Sequence, residues 1–553
     1  MLPLTATYYD PQQKLWSGPV KKDLYNENIT LGEVIFLELS KHPQKLIQIN
    51  DSTNEEMKAE EFLDHVMALS KNLLKLGLKV GDVVGMYANN ATHTATVMVA
   101  AYLCGTPVNA LYPGFDKDSA ELIYKVTRPK IIFCDVENYE IAAKVNQDLQ
   151  LNAPIFIMNG EVKGVSSILS LVKPNIKFRN EPFVYPCVNL KGDDTAVILC
   201  SSGTTGIPKG VLCSHRALLN EKIHFNLKSD SVVCTFSTMY WASGLWNMNA
   251  SLITCCLRII TDKSFTAEYF LQLIERHRIT NMLTNGNHMV ELIMYDDVSK
   301  IQKCLASLDT LTLGGAKVLL TVQESLADIL KVNDKRPGFG VAYGMSELSG
   351  ILSFNSDFPY ERKLGTEGKL TANKKVRIIN KKGEFLGPNE HGEIIIKTPY
   401  KWFGYYRNEE ASKKAYIDNW LHSGDIGFFD DEGFLHVCAR DNDVFKARNF
   451  QIYPPLIEDV VMEVAGVLEA CVFGIPDLMA SHLITCAVVR TADDIGRKLT
   501  AKEIISHVEK KMGNMYHLSG GVYFLDAIPK TGSGKVQRAK VVDIVLKIKD
   551  KQM

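Results

Sequence analysis

Short apolar runs alternate with stretches of helical periodicity along the first part of the chain, and this alternation constrains the fold more than any other feature. The runs VVGMYA (83–88), PVNAL (107–111) and KIIFCD (130–135) read as strands, and a helix-like stretch (92–104) separates the first two. Strands that are apolar on both faces are typical of parallel sheets covered by helices. The pattern therefore predicts an α/β fold with parallel-rich sheets.

The pattern of apolar and polar residues changes twice towards the C-terminus. From about residue 366, short alternating runs such as VRIIN and GEIIIK are separated by turn signals, which indicates an antiparallel sheet. A βα-type segment follows from about residue 443, and the polar run ARDNDVFKARN (439–449) predicts a hinge. Because 553 residues exceed the prior of about 150 residues for one domain, we expect two or more cores. We predict a large N-terminal domain (1–438), a hinge region (439–449) and a small C-terminal domain (450–553).

Charge, cysteine usage and hydropathy narrow the class of protein. A formal net charge of -1 provides no global basic field, so no nucleic-acid partner is expected. Twelve cysteines without a CxxC pair resemble neither a disulfide framework nor a zinc site, which favours a reducing compartment. The richest apolar run (94–104) is too short for a transmembrane segment. The N-terminus lacks the pattern of a secretory signal and the C-terminus lacks an SKL tripeptide, so we expect a cytoplasmic protein.

The loop SSGTTGIPKG (201–210) directly follows AVIL (196–199), a run that reads as a buried strand. Glycines let the backbone turn its N–H groups towards an oxyanion, Ser and Thr hydroxyls add donors, and Lys209 adds a positive charge. The loop is not a P-loop, because that pattern requires a glycine at Pro208 and a hydroxyl at Gly210. Taken alone, the loop is equally well interpreted as a surface turn or as a phosphate site.

Four further motifs follow this loop in a fixed order: YGMSE (343–347), WLHSGD (420–425), ARDNDVFKARNFQIYP (439–454) and PKTGSGK (529–535). Together the five motifs resemble those of the acyl-adenylate-forming enzymes, in particular the luciferase-like and 4-coumarate-CoA-ligase-like acyl-CoA synthetases. The resemblance covers nearly the whole chain. It implies that the large domain carries a distorted antiparallel barrel beside its helix-flanked sheets, and that the small α+β domain is mobile. It also implies a two-step ligase that uses ATP, Mg²⁺ and coenzyme A, and it identifies residues 1–438 as an adenylation domain.

The resemblance implies a set of nucleotide-binding residues. The phosphate loop would bind the β- and γ-phosphates, Ser346 the α-phosphate, Glu347 the Mg²⁺, and Asp425 with Arg440 the ribose. The glycine-rich segment LGGAKV and the YGMSE motif would hold the adenine. The nucleotide residues expected are Ser201, Ser202, Gly203, Thr204, Thr205, Gly206, Lys209, Gly314, Gly315, Ala316, Tyr343, Gly344, Met345, Ser346, Asp425, Arg440 and Lys535.

Two lysines are expected to act in different steps. Lys535 resembles the family lysine that bridges the carboxylate and the α-phosphate, and Lys446 the lysine that enters the site when the thioester forms. Asn442 stands at the pivot, where relatives often have Asp or Lys. We therefore expect Lys535, Lys446, Glu347 and Ser346 to carry catalysis, with one domain presenting two faces in turn.

Several positions depart from the family pattern. Asn449 replaces a glycine expected in the pantetheine passage, which puts coenzyme A use in question. Tyr240 and Trp241 stand where beetle luciferase has paired histidines; they are interpreted either as walls of an apolar acyl pocket or as core aromatics. The segment NGNHMVELI (285–293) is another candidate wall, and His215 is interpreted as a packing residue.

The sequence favours an AMP-forming acid:CoA ligase for a fatty or aromatic carboxylic acid. Three alternatives stay open: a luciferase-type monooxygenase that shares the adenylation step, a non-catalytic nucleotide-binding regulator, and an enzyme that loads a separate carrier protein. The identity of the acid and the oligomeric state lie beyond what these residues predict.

Overall fold

The computed structural model describes residues 5–173, 189–201, 209–220, 227–295, 297–330, 338–356, 362–448, 450–477, 479–531 and 534–552. Seven residues of the predicted phosphate loop (202–208) lie outside the described residues, among them the expected nucleotide residues Ser202, Gly203, Thr204, Thr205 and Gly206. The same holds for Gly532 and Ser533 of the PKTGSGK motif and for Asn449.

The strands are β1 (Tyr8–Asp10), β2 (Leu15–Ser17), β3 (Leu46–Asn50), β4 (Glu56–Lys58), β5 (Val84–Tyr87), β6 (Val108–Ala110), β7 (Ile131–Cys134), β8 (Ile155–Ile157), β9 (Thr195–Ser201), β10 (Lys209–Ser214), β11 (Val232–Thr235), β12 (Leu257–Ile260), β13 (Asn281–Thr284), β14 (Thr310–Gly314), β15 (Gly338–Met345), β16 (Gly350–Ser356), β17 (Lys369–Leu370), β18 (Lys375–Ile379), β19 (Gly392–Lys397), β20 (Tyr416–Ile417), β21 (Trp420–Phe429), β22 (Leu435–Arg440), β23 (Phe445–Ala447), β24 (Phe450–Ile452), β25 (Val467–Asp477), β26 (Ser481–Arg490) and β27 (Gly521–Phe524).

The α-helices are α1 (Leu31–Ser40), α2 (Ala59–Lys75), α3 (Thr94–Cys104), α4 (Lys117–Thr127), α5 (Tyr139–Asp148), α6 (Leu169–Val172), α7 (His215–Asn220), α8 (Ala242–Thr254), α9 (Ala267–His277), α10 (Gly286–Ile293), α11 (Val298–Cys304), α12 (Leu320–Ile329), α13 (Glu409–Ala415), α14 (Pro454–Met462), α15 (Asp494–Lys498), α16 (Ala501–Met512) and α17 (Arg538–Gln552).

Two sheets of the large N-terminal domain are rich in parallel strands. One has the order β10-β9-β6-β5-β7-β8, with all its pairs parallel except that of β9 with β10. The other has the order β17-β16-β15-β14-β13-β11-β12-β3-β4, with a parallel centre from β15 to β3 and antiparallel strands at both ends. The largest buried core joins residues of α1, α2, α3 and α8 to the first sheet. Strands buried on both faces, such as β5, explain why the sequence shows uninterrupted apolar runs there.

A third sheet of the large domain is antiparallel and contains β1, β2, β18, β19, β20, β21 and β22. Residues of β18 alternate between buried and more exposed positions, whereas the three consecutive isoleucines of β19 (394–396) are all buried. The change of sequence pattern near residue 366 accompanies the change from a parallel-rich to an antiparallel sheet. The described chain thus has a mixed α/β fold with parallel-rich sheets and a large N-terminal domain, as the sequence predicts.

The small C-terminal domain has its own core. Strands β25, β26 and β27 form a sheet, and residues of α14 and α16 pack with it around Ile457, Ile484 and Ile504. A short hairpin of β23 and β24 precedes this core. The boundaries 1–438, 439–449 and 450–553 themselves stay predictions. In the described part of the chain no helix combines the length and the apolar character that a membrane span requires.

Candidate functional site

A cavity of about 770 Å³ opens at the carboxyl ends of the parallel strands. Ser201 ends β9, Thr284 ends β13 and Gly314 ends β14, and all three line the cavity. The small domain adds Lys535 to the opposite wall. Ligands of open α/β sheets bind in the crevice outside the carboxyl ends of the strands, so this cavity is the candidate site.

A buried carboxylate marks one end of the cavity. Asp425 is 4% exposed, and its Oδ1 lies 2.7 Å from Nε of Arg440, which faces it across the β21–β22 pair. The hydroxyl of Tyr343 donates to Oδ2 of Asp425. Burial raises the pKa of Asp425, whereas the guanidinium of Arg440 acts in the opposite direction. Asp425 and Tyr343 do not line the cavity themselves, whereas Arg440 and their sequence neighbours Gly424 and Gly344 do.

Glu347 lies on the floor of the cavity, in a one-turn helix (Ser346–Leu348) that follows β15. The hydroxyl of Tyr405 donates to Oε1 of Glu347 at 2.9 Å, and Nζ of Lys209 lies 5.0 Å from the centre of the Tyr405 ring. Tyr405 was not predicted as a site residue, because nothing in the run WFGYYRN separates a core tyrosine from one that faces a ligand.

The acidic side chains fit a magnesium ion that arrives with a nucleotide. The described residues contain no group of three or more His, Cys, Asp or Glu placed to hold a metal. Mg²⁺ usually keeps several waters and binds through one or two carboxylates together with substrate phosphates. Glu347, with Ser201 and Ser346 beside it in the lining, provides this kind of ligand set.

The backbone comes close to the cavity at the end of β14. Gly315 has φ +88°, a conformation that favours glycine, and a Cβ on Gly314 would lie 3.2 Å from the carbonyl oxygen of Ala342. Both glycines line the cavity, together with Gly344, Met345 and Ser346, whereas Ala316 does not. The adenine-binding role of these residues stays a prediction.

Lys535 enters the cavity from a tight turn of the small domain. Burial lowers the pKa of its ammonium group, as does the nearby Arg440, while Asp425 and Glu347 act in the opposite direction. The cation therefore lies in a desolvated position facing both carboxylates. Lys446, in contrast, is exposed on β23 and does not line the cavity.

Aromatic side chains surround the other end of the cavity. Tyr240 is buried and its ring meets that of Trp241 edge to face at 4.5 Å, with Tyr112 at 6.0 Å from Tyr240. All three line the cavity, and Tyr240 with Trp241 also packs in a buried core cluster, so their role as an acyl-pocket wall stays a prediction. Cavities lined by such rings accept large apolar or aromatic groups.

The predicted wall segment 285–293 forms the start and body of α10 and contributes Asn285, His288 and Glu291 to the lining. His288 stacks on Phe265 with a centroid distance of 3.9 Å, and its Nδ1 lies 2.6 Å from the hydroxyl of Thr284. Burial lowers the pKa of His288 to about 4, so the ring is neutral at neutral pH. Asn442, the predicted pivot, also lines the cavity.

Comparisons with known proteins agree with this arrangement. A family model described as AMP-binding enzyme matches residues 37–406, and one described as AMP-binding enzyme C-terminal domain matches residues 456–535. Luciferin 4-monooxygenase of Photuris pensylvanica is 27% identical over 94% of this chain and 96% of its own length. 4-Coumarate-CoA ligase 1 of Narcissus pseudonarcissus is 26% identical over 94% of each chain. The crystal structure of ATP-bound MatB from Rhodopseudomonas palustris shares the fold with a TM-score of 0.82, at 21% identity over 93% of this chain and 99% of that one.

Proposed function

The chain belongs to the AMP-binding enzyme family, and from this premise we propose that it is an AMP-forming acid:CoA ligase. In the first step a carboxylate attacks the α-phosphorus of ATP, which gives acyl-AMP and pyrophosphate. In the second step the thiol of coenzyme A displaces AMP and gives a thioester. The observation that carries this proposal is the position of Lys535, a cation of the small domain, in the same cavity as Glu347 of the large domain and Arg440 of the predicted hinge region.

The first step needs positive charge, because an anionic nucleophile must approach a polyanion and pyrophosphate must leave. Mg²⁺ bound with ATP would supply part of that charge, and Glu347 would hold it. Lys535 is a preorganised cation in a desolvated position, where its interaction with developing negative charge is stronger than in water. Asp425, fixed by Tyr343 and Arg440, would accept hydrogen bonds from the ribose hydroxyls.

The second step is proposed to use the other face of the small domain. Lys446 is exposed and lies outside the cavity, as expected for a residue that enters only after the domain has rotated. The polar turn Asp441–Asp443, which contains Asn442, would act as the hinge. Asn449 lies outside the described residues, so its effect on the pantetheine passage stays a question for assay.

The aromatic end of the cavity supports a fatty or aromatic acid as substrate. Tyr112, Tyr240 and Trp241 offer apolar ring faces in the cavity that Lys535 also lines. A cytoplasmic location and the use of coenzyme A rather than another thiol are part of the same proposal.

The two lysines give the sharpest test. We expect Lys535→Ala to lower acid-dependent exchange of labelled pyrophosphate into ATP by about 10²–10³-fold, because it removes the preorganised cation of the first step. Thioester formation from supplied acyl-AMP should be spared. Lys446→Ala should show the reverse pattern, and Lys498→Ala, at an exposed lysine of the same domain, is the control. Damage to the same half-reaction by both substitutions would contradict the proposal.

A luciferase-type monooxygenase is a second candidate, because a luciferin 4-monooxygenase aligns over nearly the whole chain. Tyr240 and Trp241, which stand in place of the paired histidines of beetle luciferase, speak against it. Light emission with luciferin, ATP and oxygen would favour this candidate. A panel of carboxylic acids assayed for AMP release with and without coenzyme A separates both enzymes from a non-catalytic regulator and from a loader of carrier proteins.

A further inference from the structure

A side chain of the large domain contacts the turn that carries Lys535. Nδ2 of Asn287, on α10, donates to the carbonyl oxygen of Gly534 at 2.8 Å. The two residues are 247 positions apart in the sequence, so the contact exists only when the small domain is docked in this orientation. Asn287 itself does not line the cavity.

The turn is built so that this contact fixes the position of the next residue. The N–H of Thr531 donates to the carbonyl of Lys535 at 2.8 Å, and the N–H of Gly534 donates to the carbonyl of Thr531 at 2.8 Å. The N–H of Lys535 donates to Oγ1 of Thr531 at 3.2 Å. These bonds tie the backbone of Gly534 and Lys535 to Thr531, so a contact to Gly534 also restrains Lys535.

Gly534 is required for the close approach. Its φ is +78°, and a Cβ at this position would lie 2.1 Å from Nδ2 of Asn287. Glycine alone accepts both the backbone conformation and the short distance. The hydrogen bond therefore joins a side-chain amide to a backbone carbonyl at a position where only glycine fits.

The first turn of α10, which carries Asn287, is also held in place by side-chain contacts. Oδ1 of Asn285 caps the helix by accepting from the N–H of His288 at 3.1 Å. His288 in turn stacks on Phe265 and lines the aromatic end of the cavity. Asn287 thus lies in the first turn of α10, next to His288, which lines the aromatic end of the cavity.

We propose that Asn287 is a positioning residue for the first half-reaction, and this inference rests on the proposed function. Its amide fixes the carbonyl of Gly534 and thereby aims the ammonium group of Lys535 into the cavity. Rotation of the small domain breaks the bond, so Asn287 has no part in thioester formation. Asn287 acts through Lys535 and does not touch the substrate.

The test compares Asn287→Leu, which keeps a similar volume without a donor, with Asn287→Gln, which keeps the amide. We expect Asn287→Leu to lower kcat of acid-dependent pyrophosphate exchange about tenfold, which corresponds to the loss of one hydrogen bond. KM for ATP and for the acid should stay within about twofold of the wild-type values, because only an interaction with the reacting centre is lost. Thioester formation from supplied acyl-AMP should not change, and Asn287→Gln should recover part of the lost activity.

Two further measurements separate positioning from a merely structural effect. In a Lys535→Ala background, Asn287→Leu should have no additional effect on exchange, since residues that act through one another are not additive. Amide hydrogen exchange of the peptide 529–537 should become faster in Asn287→Leu. Asn72→Leu is the matched control, because Nδ2 of Asn72 donates to the carbonyl of Leu171 at 2.7 Å inside the large domain.

The outcomes are distinguishable. If wild type shows acid-dependent pyrophosphate exchange and Asn287→Leu shows the same rate, the role of Asn287 is overturned and the proposed function stands. Equal loss of both half-reactions, or an additive effect with Lys535→Ala, would also overturn it in favour of a structural role. Absence of acid-dependent exchange in wild type would overturn the proposed function and this inference with it.

Discussion

His215 is an ionisable side chain in a core that cannot solvate its charge. It is fully buried, its ring meets that of Tyr102 at 5.8 Å, and neither ring nitrogen has a hydrogen-bond partner among the described residues. Burial lowers the pKa of His215 from 6.5 to about 3. The interpretation of this histidine as a packing residue agrees with its place outside the cavity lining.

The stability of the large domain should therefore depend on His215 in acid. As pH falls below 6.5 the unfolded chain takes up the proton first, so the stability present above pH 6.5 is lost progressively towards pH 3. Between pH 7.5 and pH 5 we expect a loss of about 2 kcal/mol from this group. Urea unfolding at the two pH values should show a smaller loss in His215→Gln than in wild type. His42→Gln, at an exposed histidine, should behave as wild type; an unchanged pH dependence in His215→Gln would contradict the expectation.

Local motifs predict some of the residues that line the cavity, although Ala316, Tyr343 and Asp425 belong to the same motifs and do not line it. Side chains placed by long-range contacts carry no such signal. Glu347, Arg440 and Lys535 were predicted from their motifs, and all three line the cavity. Tyr405 and Asn287 carry no local signal, because their significance lies in Glu347 and Gly534, which are distant in the sequence. Contacts between residues so far apart in the sequence form only in the folded chain, so no local pattern predicts them.

At the level of elements, strand β15 carries the YGMSE motif and has little room beside it. The pairing of β15 with β16 shifts register between Tyr343 and Gly344, and a Cβ on Gly344 would lie 2.5 Å from the carbonyl oxygen of Gly350. Met345 and Ser346, which follow the irregularity, line the cavity. A glycine is therefore needed for packing at this point of the strand.

Gly344→Ala should push β15 and β16 apart. We expect a loss of about 1–3 kcal/mol in the free energy of unfolding, as for other overpacked sites, together with a higher KM for ATP. Gly338→Ala at the far end of the same strand is the control, because the nearest atom to its Cβ is the carbonyl oxygen of Asp309 at 3.3 Å. Urea unfolding and initial-rate kinetics measure both quantities. An equal effect of the two substitutions on KM would argue against a role for the irregularity.

Elements were predictable where the pattern is local and strong. The apolar runs near residues 83, 107 and 130 correspond to β5, β6 and β7, and the helix-like stretch between the first two corresponds to α3. The order of strands in the sheets could not be predicted, because it depends on which buried faces meet. One example is β10, which pairs antiparallel with β9. The predicted phosphate loop lies between these two strands in the sequence.

At the scale of the whole molecule, an ion pair crosses between the two domains. Nζ of Lys317, in the segment LGGAKV, lies 3.5 Å from Oδ2 of Asp459 on α14. Burial disfavours the charge on Lys317, but Asp459 and Glu367 together keep its pKa above the ordinary value. The pair belongs to the present orientation of the small domain and stabilises it.

Asp459→Asn should weaken this orientation selectively. A partly buried ion pair contributes about 1 kcal/mol, so we expect pyrophosphate exchange to fall about fivefold while thioester formation from supplied acyl-AMP is not reduced. Glu463→Gln is the control, because Glu463 pairs with Lys511 at 3.1 Å within the small domain. The measurement is the rate of pyrophosphate exchange and the rate of thioester formation from supplied acyl-AMP in each variant. Parallel loss of both in Asp459→Asn would indicate general destabilisation instead.

The continuity of the cavity has a consequence for the lifetime of an unstable product. One space reaches from Tyr240 and His288 to Arg440, and the turn with Lys535 closes part of its wall. Under the proposed function, an acyl-AMP formed there would occupy this space while the turn with Lys535 lies in its wall. Because mixed anhydrides are destroyed by water, we expect the docked small domain to limit their hydrolysis, so that leakage of the intermediate should depend on the timing of undocking as well as on affinity.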